Sequence, residues 1–309
     1  MARPPNAPDK AFFRLKGDVV EIASQDEFLE HLKKSNHLKN ALYRPDTLIW
    51  APQSSEAPRR YKIDGVTFEN VSFSKTEIKN FAFQKCVFRD CLFIGCIWDD
   101  LEFHACEFKH CNMYKITIDN TYINPNAFDK CLDHRKHTNI GVHLFQQLLR
   151  NFSEAEQPLF LNESKFLFLR WRRWNLNFKI REYTADGNQT QTVWQMRWES
   201  AAALAYEKFF GSGIRLRNFI ATSLILYALV AIINYASWQC AGFSDHIGPT
   251  SGRSVVKAIY FTATVLSTTG LGDIVPTTAA GRLLTASEEM FGLMWFAILA
   301  SMIFKKIVR

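Results

Sequence analysis

Residues 61–100 read YKIDGVTFENVSFSKTEIKNFAFQKCVFRDCLFIGCIWDD, and from Ile63 every fifth residue is large and apolar. The series runs Ile63, Phe68, Phe73, Ile78, Phe83, Phe88, Phe93, Trp98, Phe103, Phe108, Met113, Ile118, Ile123 and Phe128 without a break. Two residues before each of these, from Val66 on, stand Val66, Val71, Thr76, Phe81, Cys86, Cys91, Cys96, Leu101, Cys106, Cys111, Ile116 and Thr121, mostly small or apolar. The remaining three positions are largely polar. A helix repeats about every 3.6 residues and a strand every 2, so this period is neither. Two inward positions in every five demand a solenoid whose wall turns a corner every five residues, each large side chain stacking on its equivalent in the next coil.

The pattern resembles the pentapeptide-repeat family, which implies a right-handed, four-sided β-helix of about twenty residues per coil over residues 61–130. At about 4.8 Å per stacked strand, slightly over three coils make a post of order 15 Å. Five of the seven cysteines, at 86, 91, 96, 106 and 111, fall on the small inward position, where a thiol acts as a small hydrophobe. A zinc reading would add His104 and His110, but both fall at outward positions, and the five-residue cysteine step is not that of structural zinc. Acidic mimicry of a nucleic-acid duplex is weak too, because Lys62, Lys75, Lys79, Lys85, Arg89, Lys109 and Lys115 mix with the acids. What remains is a scaffold or interaction surface for a cytoplasmic protein or ligand.

Residues 1–60 read as a cap on the solenoid, with Ser24 and Glu27 as a capping box opening a short helix. Residues 131–182 read as a helical hairpin, with Leu144, Leu148 and Leu149 as an apolar stripe. The run Arg170-Trp171-Arg172-Arg173-Trp174 suits either a membrane interface or a helix packed on its neighbour. Residues 183–213 read as a polar linker and then an interfacial helix, on whose face Trp194, Trp198, Ala202, Ala205 and Phe209 recur.

Residues 214–309 differ in character. Asn218 to Trp238 carries no charge over 21 residues, about 30 Å of helix and enough to cross a bilayer core. Leu283 to Phe304 is a second such stretch, interrupted only by Glu288 and Glu289. Arg215 and Arg217 precede the first, and Lys305, Lys306 and Arg309 follow the second, so both termini are expected on the cytoplasmic side of the cell (inner) membrane. Between the spans, Ser254 to Ser267 is a helical candidate too short to cross, and it runs directly into Thr268-Thr269-Gly270-Leu271-Gly272-Asp273. Extended backbone at that depth is tolerated only where it lines a water-filled path.

The stretch YFTATVLSTTGLGDIVPTTAAGR, residues 260–282, resembles the potassium-channel pore family, in which a pore helix leads into T-V-G-Y-G-D and a G-R opens the inner helix. The resemblance implies a tetramer around one ion path, with K⁺ dehydrated by the Thr268 hydroxyl and by backbone carbonyls of Thr269, Gly270, Leu271 and Gly272, and with Asp273 closing the motif. It assigns Tyr260, Phe261 and Thr264 to support of the filter from the pore helix, and Gly292 to an inner-helix hinge. Leu271 replaces the usual tyrosine, Thr269 the usual valine, and Thr264 stands where an acid is often found behind the filter. A less selective cation pore therefore stands beside the potassium-selective one. Glu288 or Glu289 is expected to pack behind the filter, because intramembrane acids face protein or water.

Charge follows this division. Of a formal net charge of +7, residues 165–217 carry +6, from ten basic residues against four acidic. Nucleic-acid binding is one reading of such a belt, but a collar beside a membrane span explains it more simply, and no nucleic acid is expected. With 309 residues, 48% hydrophobic and 22% charged, the chain is neither disordered nor fibrous, and two domains are expected. The start lacks a secretory signal, and Phe304 lies five residues from the end, so no C-terminal regulatory domain is expected. No nucleophile–base constellation suggests an enzyme, and no cofactor beyond permeant K⁺ is expected. Taken together, the sequence reads as a homotetrameric potassium channel in a lipid bilayer, with a membrane-anchored interaction protein carrying a vestigial pore as the alternative.

Overall fold

The computed structural model describes residues 10–52, 58–155, 157–185, 190–245, 254–270 and 272–307. Two compact units divide the chain, Met1–Ala203 and Leu204–Arg309. The first opens with β1 (Val20–Ile22), α1 (Gln25–Lys34), β2 (His37–Tyr43) and β3 (Thr47–Ile49). Ten short strands follow: β4 (Tyr61–Asp64), β5 (Thr67–Ser72), β6 (Glu77–Lys79), β7 (Phe81–Gln84), β8 (Val87–Arg89), β9 (Ile97–Asp99), β10 (Glu102–His104), β11 (Glu107–Lys109), β12 (Thr117–Asp119) and β13 (Tyr122–Ile123).

These strands form a β-solenoid. Parallel sheets run β1-β2-β5-β8-β11, β4-β7-β10-β13 and β3-β6-β9-β12, and the bridges Ser72↔Leu92↔Asn112 mark the fourth face. Partners are one twenty-residue coil apart, as in Phe68↔Phe88, Phe88↔Phe108, Ile78↔Trp98 and Phe83↔Phe103. The corners have a direct backbone cause. Gly65, Asn70, Lys75, Asn80, Lys85, Asp90, Gly95, Asp100, Ala105, His110, Lys115 and Asn120 all take positive φ, between 47° and 68°. Each follows its large inward residue by two; two of the twelve are Gly, and five are Asn or Asp, which tolerate the left-handed region better than other side chains. The inward rings then stack at the strand spacing: Phe68 on Phe88 at 4.8 Å, Phe88 on Phe108 at 4.7 Å, Phe108 on Phe128 at 4.8 Å.

The stack begins earlier than the unbroken period of five suggests. β2 pairs with β5 through Leu38↔Phe68, and β3 with β6 through Leu48↔Ile78, at offsets of thirty residues in place of twenty. Leu38, Tyr43 and Leu48 are themselves five apart and buried, so the ladder extends upstream and is interrupted by the segment after β3. Above this coil α1 places Phe28, fully buried, against Tyr43, Phe68 and Phe73. Ser24 caps α1, its Oγ accepting from the Glu27 N–H at 3.2 Å, while the Glu27 carboxylate accepts from the Ala23 N–H at 2.8 Å.

Past the last coil, α2 (Thr138–Glu154) and α3 (Pro158–Ala185) form a hairpin. Asn151 of α2 closes the exposed strand edge. Its Oδ1 accepts from the Thr121 N–H at 2.9 Å and its Nδ2 donates to the Thr121 carbonyl at 2.8 Å, in a site that is fully buried. Trp171 is not interfacial but packed inside the hairpin, against Phe145 and over Gly141, where any Cβ would overlap the indole. α4 (Thr190–Phe210) then buries Val193 and Ser200 and leaves Trp194 and Trp198 exposed.

The cysteines behave as core residues. Cys86, Cys91, Cys96, Cys106, Cys111 and also Cys131 are buried, and thiols donate to main-chain carbonyls, Cys91 to Phe68 and Cys111 to Phe88. Burial pushes the Cys91, Cys96 and Cys111 thiols well up, which removes the reactive thiolate. His104 faces outward and pairs with Glu102 at 3.1 Å, and His110 sits on an exposed corner. A thiol-specific reagent at neutral pH is therefore expected to label one of seven cysteines, the exposed Cys240, in the folded protein and all seven after denaturation. Rapid labelling of several thiols in native protein would contradict this packing.

Candidate functional site

The second unit is built from α5 (Leu216–Ser237), β14 (Phe243–Asp245), α6 (Val255–Leu266), β15 (Ile274–Pro276) and α7 (Ala279–Ile307). α5 and α7 are the two helices long and apolar enough to cross a membrane among the described residues. Their outward faces are apolar and unburied, with Leu224, Ile225, Ile232, Leu283, Met290 and Leu293 all exposed. A water-soluble chain rarely leaves so large a contiguous apolar surface open. α6, with 12 residues, is about 18 Å long and cannot cross.

Behind the Thr268–Asp273 segment, Phe261 of α6 sits in a cluster with Trp238, Ala241, Phe243, Ala258, Val265 and Ile274. The antiparallel pair β14–β15 brings Phe243 and Ile274 there, and the Phe243 and Phe261 rings lie 4.5 Å apart. α7 starts with a tight turn: Thr278 Oγ1 accepts from the Gly281 N–H at 3.0 Å. Gly281 lets that turn lie against the Ala241 carbonyl, where a Cβ would overlap it.

Over residues 268–270 the backbone handedness alternates. Thr268, Gly270 and Gly272 take φ of 57°, 47° and 74°, and Thr269 between them does not. Alternation of left- and right-handed residues gathers successive N–H groups on one side of the chain and carbonyls on the other. The N–H side faces α6: the Thr269 N–H donates to the Thr264 carbonyl at 3.1 Å and the Gly270 N–H to the same oxygen at 3.4 Å. The Thr269 hydroxyl joins them at 3.2 Å. Among the described residues the Thr269 and Gly270 carbonyls accept no hydrogen bond. Thr268 donates its hydroxyl to the Ser267 carbonyl at 2.7 Å. Leu271 lies outside the described residues. Asp273 accepts from the Ile274 N–H at 3.1 Å and bonds the Tyr260 side chain.

The supporting residues divide by role. Phe261 is packing, Tyr260 reaches Asp273, and Thr264 acts through its backbone carbonyl while its hydroxyl turns to the Phe261 carbonyl at 2.9 Å. Gly292 lies in an unbroken α7 and is buried against the end of α6, where a Cβ would overlap the Leu266 carbonyl. Of the two acids, Glu288 is buried and Glu289 exposed. Asn234 was not legible as part of the site: it is a lone amide in an apolar span, and only the fold puts its Nδ2 at 3.0 Å from Thr262 Oγ1 and 3.1 Å from Glu288 Oε2.

A family model described as "Ion channel" matches residues 219–309. No curated protein and no solved structure matches the chain. The segment with alternating handedness, both apolar helices and α6 all lie within or at the edge of the matched residues.

Proposed function

We propose that this chain, whose residues 219–309 carry an ion-channel domain, assembles as a homotetramer that conducts potassium through a filter formed by Thr268–Asp273. The observation that carries the reading is the alternating backbone at 268, 270 and 272, tied by its N–H groups to the Thr264 carbonyl. Such a strand offers a row of carbonyl oxygens on its other side. A potassium ion leaving water needs several oxygens at hydration-shell distance, and one strand supplies too few, so four chains are required around one axis. The C-terminal end of α6 adds about half a negative charge, which favours a cation nearby. Gly292 serves as packing against Leu266 and, in this reading, also as the point where α7 bends on opening.

Both termini are cytoplasmic in this reading, α4 lies along the inner surface of the cell membrane with Trp194 and Trp198 at headgroup level, and the solenoid is a regulatory or interaction module. Rubidium or potassium flux from liposomes holding the full chain tests it. No flux under any voltage, pH or lipid composition would leave the membrane-anchored interaction protein as the better account.

One feature favours the less selective pore: Leu271 has no hydroxyl with which to anchor the filter outward. Restoring one is expected to help. Leu271→Tyr should keep conduction, because ligation is by backbone, and raise the potassium-to-sodium permeability ratio several-fold at most. Bi-ionic reversal potentials in planar bilayers read this directly; a Leu271→Tyr channel that loses current would contradict ligation by backbone alone.

A further inference from the structure

Three helices meet at one buried amide. Asn234 of α5 and Thr262 of α6 are fully buried, and Glu288 of α7 is 7% exposed. Both hydrogens of the Asn234 Nδ2 are used, one on Thr262 Oγ1 at 3.0 Å and one on Glu288 Oε2 at 3.1 Å. Its Oδ1 is buried without a partner among the described residues. Polar groups at membrane depth are costly unless paired, so a three-residue polar contact there needs a reason.

Position along α6 supplies one. Thr262 lies one short step before Thr264, whose carbonyl holds the Thr269 and Gly270 N–H groups at 3.1 and 3.4 Å. The Thr264 hydroxyl is spent on its own helix, at the Phe261 carbonyl, and does not fix α6 to its surroundings. A directional bond ties the first half of α6 to α5, the Tyr227 hydroxyl donating to the Ile259 carbonyl at 2.8 Å; around Phe261 and Val265, nearer the filter end, the contacts are apolar and not directional. The Asn234 amide adds a directional contact two residues from Thr264 and, with the Tyr227 bond, fixes both rotation and depth.

We propose that Asn234, Thr262 and Glu288 form a positioning triad: the amide locks the angle of α6, and through the Thr264 carbonyl it sets where the Thr269 and Gly270 carbonyls stand. This rests on the reading of Thr268–Asp273 as the filter. Ion discrimination depends on the number and placement of the coordinating oxygens, so loosening the triad changes selectivity before it abolishes current.

The test uses the full chain in liposomes and planar bilayers under potassium/sodium bi-ionic conditions. Thr262→Val keeps the volume and removes the acceptor; Asn234→Leu removes the amide. Both are expected to lower the potassium-to-sodium permeability ratio by about tenfold, the scale set by a buried unsatisfied donor. Glu288→Leu should act alike. Glu288→Gln should rescue, because its carbonyl still accepts from Nδ2 and its N–H can serve the orphan Oδ1. Tetramer content is checked on the same preparations, and if Asn234→Leu does not assemble, the volume-matched Thr262→Val decides. A wild-type ratio in assembled Thr262→Val, or a Glu288→Gln ratio as low as that of Glu288→Leu, overturns the triad and leaves the channel reading standing. A wild type that conducts no ion sinks the filter assignment and the triad with it.

Discussion

Gly270→Ala is expected to assemble like the wild type and, with Thr268–Asp273 as the proposed filter, to pass no measurable potassium current. Gly270 sits at φ 47°, and a Cβ built there meets nothing within 4 Å, so the substitution is not a clash within the chain. Its effect is conformational. A non-glycine residue costs about 1–2 kcal/mol in the left-handed region, and in the proposed tetramer the cost recurs in each chain. The easiest relaxation is toward the right-handed region, which breaks the alternation and turns a carbonyl away from the side its neighbours share. The control is Gly65→Ala, at φ 68° and equally open, on a corner of the solenoid. It should carry a similar backbone cost and leave current normal. Liposome flux on assembled protein separates the two, and normal current through Gly270→Ala would remove this segment from the ion path.

The second large effect belongs to Gly292. A hinge glycine and a packing glycine respond differently to one added methyl. A hinge would tolerate it with altered opening and little loss of stability. Here the added Cβ overlaps the Leu266 carbonyl, and the Leu266 Cα lies only 2.9 Å from it, so backbone must move. Overpacking of this kind costs about 1–3 kcal/mol per chain. Gly292→Ala is therefore expected to lower the thermal midpoint of the protein in detergent by several degrees and to impair current together with it. An unchanged midpoint with shifted open probability would assign Gly292 to bending alone.

Much of this was legible in advance because the solenoid is a one-dimensional problem. Each inward residue meets the residue twenty positions on, so the period of five already contains the register, as Phe68↔Phe88↔Phe108 shows. The first coil was missed although Leu38, Tyr43 and Leu48 keep the spacing, because the segment after β3 breaks the count before Ile63. The backbone of the segment after α6 was legible for a related reason: alternating glycines state a conformational requirement locally, and Gly270 and Gly272 both take positive φ.

The sequence by itself therefore determined the solenoid, the two spans, the short helix between them and the segment whose backbone alternates. Each follows from spacing or composition within a short window. Only the tertiary structure decided which residues of different helices meet. The partners of Asn234 lie 28 and 54 residues away, on helices apolar around most of their circumference. A span of that kind carries no periodic signal for its rotation or depth, so nothing local aims Asn234 at Thr262 or separates buried Glu288 from exposed Glu289. The same holds for Gly292 against Leu266 and for Trp171 inside the α2–α3 hairpin: close approach of two elements is a property of their packing, and one element's pattern does not contain it.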